Sequence, residues 1–81
     1  SGAGLRRTIV ISGADRPGIT AGALEILSRH GAQVLDLGQA VVSGDLSLFF
    51  SVSGGGRDLL RDLVFWGQQK QLRVRWSEGG R

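Results

Sequence analysis

The fold is decided by the stretch TIVISGADRPGIT at residues 8–20, which joins a strand pattern to the start of a helix. Three β-branched residues follow one another at 9–11, which is typical of a strand in the middle of a sheet, where both faces are at least partly covered. Gly13 then interrupts the pattern. The stretch therefore predicts a first strand over residues 5–12 and a helix directly after the loop.

The loop also carries the signals that start a helix. Asp15 has a side chain suited to the N-cap, and Pro17 suits the first turn, where a missing N–H costs nothing. Apolar residues then recur with helical spacing as far as His30, and Gly31 follows as a residue able to end the helix in the left-handed conformation. We therefore expect a helix over residues 16–30, capped by Asp15.

The rest of the chain repeats strand and helix patterns between clear breaks. We expect strands at 33–42 and 46–53 joined by a turn at 43–45, a helix at 58–70 and a last strand at 72–76. The order βαββαβ predicts an α+β, ferredoxin-like sandwich with a four-stranded antiparallel sheet of order 4-1-3-2 and both helices on one face. In the third strand Phe49 should lie on the face away from the helices.

Length and composition limit the classes of function. The 81 residues suffice for one domain, which we expect at 5–77, with residues 1–4 as a tag remnant or disordered start and 78–81 as a flexible tail. A net charge of +3, no cysteine and no long apolar run favour a cytoplasmic protein that binds neither nucleic acid nor membrane.

Catalytic chemistry has no visible basis in the sequence. His30 is the only histidine and falls at a predicted helix end, where it complements the helix dipole. The acidic residues are scattered over different elements, and no phosphate-binding glycine motif is present. We expect no catalytic residue, no metal site and no cofactor.

The loop after the first strand is the candidate binding site. The free N–H groups at the start of the helix suit a ligand carboxylate, Asp15 could hold an ammonium group, and Gly18 would allow close approach to the backbone. These groups together would match a small amino acid. The alternative is that Asp15 only caps the helix and Gly18 only serves the turn, and the residues themselves do not decide between the two.

Two longer stretches carry a family resemblance: GADRPGITA at 13–21 and GAQVLDLGQAV at 31–41. They resemble the ACT domain that precedes the phosphatase module in two-part phosphoserine phosphatases, and 46–48, 59–66 and 72–76 are similar as well. The loop motif is shared with ACT domains of formyltetrahydrofolate deformylases and glycine-cleavage repressors. The segments at 38–40 and 46–48 favour the phosphatase.

The resemblance implies a regulatory domain that binds serine or glycine at the interface of a homodimer. Residues of the loop after strand one in one copy would meet residues of strand two in the other: Asp15, Arg16, Gly18, Ile19 and Thr20 against Asp36, Leu37 and Gln39. The parent would be a magnesium-dependent phosphoserine phosphatase of serine biosynthesis, with the catalytic domain following this one. A dimerisation domain that has lost its ligand pocket is the alternative.

Helix two has an apolar residue on its outer side. A rotation of about 100° per residue places Phe65 away from the core face defined by Leu59 and Leu60. Phe65 and Trp66 would form an apolar patch that favours contact with a second copy or with the parent's catalytic domain. We therefore expect an interface at these two residues.

Overall fold

The computed structural model describes residues 6–79 and confirms the order βαββαβ. The elements are β1 (Arg6–Ala14), α1 (Ile19–Arg29), β2 (Gln33–Val42), β3 (Asp45–Ser53), α2 (Asp58–Gln69) and β4 (Arg73–Glu78). The four strands form one antiparallel sheet in the order β2-β3-β1-β4. This is the predicted order, and it places the apolar strands β1 and β3 in the centre.

The core lies between the sheet and the two helices. Along β3, alternate residues are buried from Leu46 to Val52, as the sequence predicts, while Phe49 lies on the opposite face and is 43% exposed. The buried apolar residues of the described chain are Ile9, Ile11, Ile19, Ala23, Ile26, Leu27, Leu46, Leu48, Phe50, Val52, Leu59, Leu63 and Leu72. Every element except the edge strands β2 and β4 contributes to this set, so the core holds the helices against the central strands.

A glycine lets the two helices approach each other. A Cβ atom at Gly22 of α1 would lie 2.9 Å from Cζ2 of the Trp66 indole of α2. The indole therefore occupies the volume that a side chain would need, and Trp66 is half-buried against the core. A larger residue at position 22 would push the helices apart.

The C-terminal end of α1 is tied to α2 by a polar contact. His30 is the C-cap residue, and its Nε2 lies 2.7 Å from Oδ2 of Asp62. Gly31 follows with φ 72°, and its N–H donates to the carbonyl of Ser28, which confirms the predicted helix end. The hydrogen bond from His30 lowers the pKa of Asp62.

Three predicted boundaries are wrong by two residues or more, and the others differ by at most one residue. β1 continues two residues past Ser12 to Ala14, because the ladder with β3 extends to the pair Ala14 and Asp45. Consequently α1 begins at Ile19 and not at residue 16. At the other end, Glu78 belongs to β4 and not to a tail, since it pairs with Arg7. The expectations for residues 1–5 and 80–81 lie outside the described residues.

Candidate functional site

The loop between β1 and α1 is anchored at two points. The Asp15 N–H donates to the carbonyl of Gly44 in the β2–β3 turn, at 2.9 Å. The guanidinium of Arg16 donates to the carbonyl of Lys70, the C-cap residue of α2. Because carbonyls at a helix C-terminus lack partners within the helix, a cation is a favourable partner there. The loop is thus held between the hairpin turn and the end of α2.

The expected N-cap by Asp15 is wrong. Gly18 occupies the N-cap position of α1 with φ 86° and ψ −2°, and no side chain caps the helix. Asp15 lies three residues too early to reach the first turn, since β1 extends further than predicted. The first turn also contains no acidic residue. Its N–H groups therefore have no side-chain acceptor from the first turn or the N-cap.

A small cavity opens at this helix start. It has a volume of about 160 Å³ and is lined by Arg16, Pro17, Gly18, Ile19 and Lys70. Cavities for drug-sized ligands measure roughly 300–1,000 Å³, so this one suits a much smaller molecule. Two cationic residues, Arg16 and Lys70, and a helix N-terminus line it, which favours an anionic group.

Gly18 is required by its backbone conformation. No atom lies within 4 Å of the position that a Cβ would take, so the space in front of the residue is open. Its φ of 86°, however, lies in the left-handed region that side chains disfavour. Gly18 therefore leaves the helix N-terminus accessible and makes the turn into α1 possible.

Strand β2 reaches the site through two residues. The Thr20 hydroxyl donates to Oε1 of Gln39 at 3.3 Å, which joins the first turn of α1 to the strand within one chain. Gln39 pairs with the buried Leu48 and so lies on the helix face of the sheet. Leu37 lies on the same face and is 45% exposed.

Asp36 is separated from these residues. It pairs with Ser51, so its side chain lies on the face away from the helices, and its Oδ1 accepts the N–H of Leu37 at 2.9 Å. Asp36 and Gln39 are three positions apart in a strand, and side chains at that spacing point to opposite faces. The spacing of Asp36 and Gln39 could have been used to predict this separation from the sequence. Within one chain, the two side chains do not come together.

The remaining predicted residues have mixed positions. Ile19 is buried in the core, so it can offer a ligand only its backbone. Phe65 is 62% exposed, in agreement with its predicted place on α2, whereas Trp66 is half-buried against Gly22. The interface at these two residues stays a prediction. Lys70 was missed because its contact with Arg16 joins residues 54 positions apart, for which no local signal exists.

The outer edge of β2 is apolar. The described part of the chain has no strand beyond β2 on that side of the sheet. Four aliphatic residues of β2 are between 41% and 70% exposed: Leu35, Leu37, Val41 and Val42. A long exposed edge of this kind is a template for pairing with another strand.

Some sites are absent from the described residues. Within 6–79, no three His, Cys, Asp or Glu side chains are grouped so that they could hold a metal ion. Neither helix of this part of the chain has the length and hydrophobicity needed to cross a membrane.

The fold and the loop together define a class: a small βαββαβ domain whose distinctive surface lies at the start of α1 beside an open strand edge. The family model for the ACT domain matches residues 8–77. The chain therefore belongs to the ACT domain family, whose domains are regulatory and not catalytic.

Similar proteins agree with this assignment. The phosphoserine phosphatase SerB2 of Mycobacterium tuberculosis is 40% identical over 45 residues, which are 56% of this chain and 11% of that protein. The match thus spans about a tenth of that relative's length.

Solved structures share the fold at low sequence identity. An ACT domain protein from Streptococcus pneumoniae is 20% identical with a TM-score of 0.81, over 93% of this chain and 90% of that one. A glycine cleavage system transcriptional repressor is 22% identical with a TM-score of 0.85, over 95% of this chain and 47% of that one. A formyltetrahydrofolate deformylase from Burkholderia mallei is 15% identical with a TM-score of 0.83, over 91% of this chain and 28% of that one.

Proposed function

We propose that this chain senses a small amino acid, serine first and glycine second, and dimerises to do so. The observation that carries the proposal is the first turn of α1, which has neither a side-chain cap nor an acidic residue and opens on a small cavity lined by Arg16 and Lys70. An α-carboxylate would satisfy the N–H groups of this turn and the local positive charge.

The other groups of the ligand have partners nearby. Gln39 contacts Thr20 at the start of α1, and its amide would bind the serine hydroxyl. Asp15, in the same loop, would take the ammonium group. Asp36 is a weaker candidate for that role, because its side chain lies on the other face of the sheet. Glycine would keep the carboxylate and ammonium contacts and lose the contact with Gln39.

A second copy would complete the site along β2. Pairing of two β2 edges would bury the exposed Leu35, Leu37, Val41 and Val42 and continue the sheet across both copies. Serine would then favour one dimer arrangement over another. Regulation requires this difference in affinity, since a ligand that binds both arrangements equally shifts nothing.

The parent protein would be a phosphoserine phosphatase that its product serine regulates. The 40% identity to such a phosphatase over 45 residues supports this parent. Its catalytic domain, following this one, would supply the aspartyl-phosphate chemistry with magnesium. The ACT-domain segments of a formyltetrahydrofolate deformylase or a glycine-cleavage repressor are the alternative contexts.

Calorimetry with serine and glycine tests the sensor directly. A ligand of about seven heavy atoms at about 1.5 kcal/mol per atom is limited to about 10 kcal/mol, and ordering two surfaces lowers this to micromolar affinity or weaker. Gln39→Ala should weaken serine binding and leave glycine binding unchanged. Gln69→Ala, an exposed glutamine on α2, is the matched control and should bind both ligands normally.

Absence of a response would reject the sensor. If the wild-type chain gives no heat and no thermal shift with millimolar serine or glycine, the dimerisation-only function replaces it. That second candidate rests on the exposed β2 edge alone. With that function, Leu37→Lys should still disrupt the dimer and lower the mass measured by sedimentation.

A further inference from the structure

The sheet has a second face that the helices do not cover. In an antiparallel sheet, directly paired residues share a face, so the strand register gives the composition of this surface. We call it the open face. Three of its rows run through all four strands, from β4 through β1 and β3 to β2: Ser77, Thr8, Ser51 and Asp36; Arg75, Val10, Phe49 and Gly38; Arg73, Ser12, Ser47 and Ala40. None of these twelve residues is buried.

We propose that the open face is a self-association surface, covered by the open face of a second copy of this chain. The two copies would be related by a twofold axis that runs along the strands between β1 and β3. Such an axis places β2 of one copy over β4 of the other, and β3 over β1. Each row therefore faces the same row of the second copy, read in the reverse order. The proposal does not depend on amino-acid sensing.

The central row is complementary to its own reverse. Reversal sets Phe49 of one copy opposite Val10 of the other and Arg75 opposite Gly38, so each large side chain faces a small one. Phe49 already leans towards Gly38, since its Cδ2 lies 3.8 Å from the position that a Cβ of Gly38 would take. The second copy's Arg75 would arrive over Gly38, beside the Phe49 ring, where a guanidinium can stack on an aromatic face.

The outer rows are complementary in hydrogen bonding. Reversal sets Thr8 opposite Ser51 in one row and Ser12 opposite Ser47 in the other, so that hydroxyl meets hydroxyl. Ser77 comes opposite Asp36, whose carboxylate can accept its O–H. The hydroxyl and carboxylate groups of these rows therefore find partners, which burial requires, whereas Arg73 comes opposite Ala40 at the rim, where water can solvate it.

Charge also fits this arrangement. The β4 side of the open face carries Arg73 and Arg75, and the β2 side carries Asp36. Reversal brings the cationic side of each copy over the acidic side of the other. Face-to-face sheets pack about 10 Å apart, a distance that arginine side chains span.

The open face and the β2 edge are different surfaces, so one copy could engage both. The twofold axis of the edge pairing would lie outside β2, and that of the open face lies between β1 and β3, so the two axes do not meet. Both interfaces together would therefore extend into an open assembly, whereas either one alone gives a dimer. The open face is small and only its central row is apolar. Association through it should therefore be modest and should increase with protein concentration.

Sedimentation velocity over a concentration series tests the proposal. Phe49→Ser should lower the mass that the wild type reaches at high concentration and leave at most the dimer joined at the β2 edge. Glu25→Ser is the control, because Glu25 is an exposed residue of α1, in the helix layer on the other side of the sheet from the open face. It should keep the wild-type mass. Circular dichroism checks that both variants are folded.

A charge exchange provides a second test if Phe49→Ser does not fold. Arg75→Asp should lower the mass by placing a carboxylate beside the second copy's Asp36 in the neighbouring row, and Arg75→Asp combined with Asp36→Arg should restore it. Leu37→Lys at the β2 edge tests the other interface, so failure of edge pairing is distinguishable from failure at the open face.

Several results would overturn the proposal. The proposal is wrong if the wild type sediments as a monomer at every concentration, if Phe49→Ser keeps the wild-type mass, or if Phe49→Ser and Glu25→Ser lower it equally. A single-stranded oligonucleotide that binds the wild type through Phe49, with no change in mass in Phe49→Ser, would make the open face a nucleic-acid surface instead.

Discussion

The two helices begin in opposite electrostatic situations, although their lengths, 11 and 12 residues, are nearly equal. α2 carries Asp58 in its first turn, and that carboxylate lies 3.5 Å from the guanidinium of Arg61. α1 has no acidic residue in its first turn. The helix dipole of α2 is thus complemented by the helix's own residues, whereas that of α1 is left to other partners. A bound anion would therefore stabilise the start of α1 more than the start of α2.

Among the substitutions at the two helix starts, Gly18→Ala should have the largest effect on stability. Gly18 has φ 86°, and a side chain in the left-handed region costs about 1–2 kcal/mol. We expect the free energy of unfolding to fall by this amount in chemical denaturation. Arg57, the N-cap residue of α2, has φ −82°, so Arg57→Ala should change stability by less than about 0.5 kcal/mol. Equal losses at both positions would contradict the contrast between the caps.

Ala21→Glu would give α1 the acidic first turn that α2 already has. Ala21 is exposed in the third helical position, where a glutamate can reach the N-cap N–H. We expect serine affinity to fall about tenfold, or about 1.4 kcal/mol, because the carboxylates would compete. Ala21→Gln has a similar shape without the charge and should bind more tightly than Ala21→Glu in calorimetry. If the two variants bind serine equally, the carboxylate does not sit at this helix end.

Asp58→Asn would remove the charge that distinguishes α2. The loss of a carboxylate at a helix N-terminus should destabilise the fold by about 0.3–1 kcal/mol at low ionic strength. Serine binding should not change, since the loop that holds it meets α2 at its other end. Thermal unfolding at low and high salt measures the first effect, which added salt should reduce. A loss of serine affinity would show that the two helix starts are not independent.

The smallest effect concerns the other end of α1 and depends on pH. The hydrogen bond from His30 lowers the pKa of Asp62 below its ordinary value of 3.8. Because the folded-state pKa is the lower one, the contribution is present above the unfolded pKa and is lost as pH falls through the folded pKa. Asp62→Asn should therefore lower stability at neutral pH, and its stability should converge with that of the wild type as pH falls below the folded-state pKa of Asp62. A difference in the free energy of unfolding between Asp62→Asn and wild type that is the same at all pH values would exclude this linkage.

The sequence predicted the fold well because the residues that end its strands and helices can be recognised from their immediate neighbours. Gly44 has φ 82° and marks the hairpin turn, and Gly31 ends α1, so β2 was predicted with both boundaries correct. The candidate site was predicted less well. The Asp15 cap failed because strand pairing carried β1 to Ala14, and the contact of Arg16 with Lys70 joins distant residues. Such contacts depend on packing of the whole domain, which spacing along the chain does not encode.

The indole of Trp66 over Gly22 gives the domain an internal optical reporter. The Gly22 N–H donates to the carbonyl of Gly18 at 2.9 Å, so the ring lies one helical turn from the start of α1. The chain has two tryptophans, and Trp76 is on the edge strand β4. With Trp76→Phe, emission would come from Trp66 alone. Any small rotation of α1 would change the surroundings of that fluorophore and become visible as a spectral shift, without an attached dye.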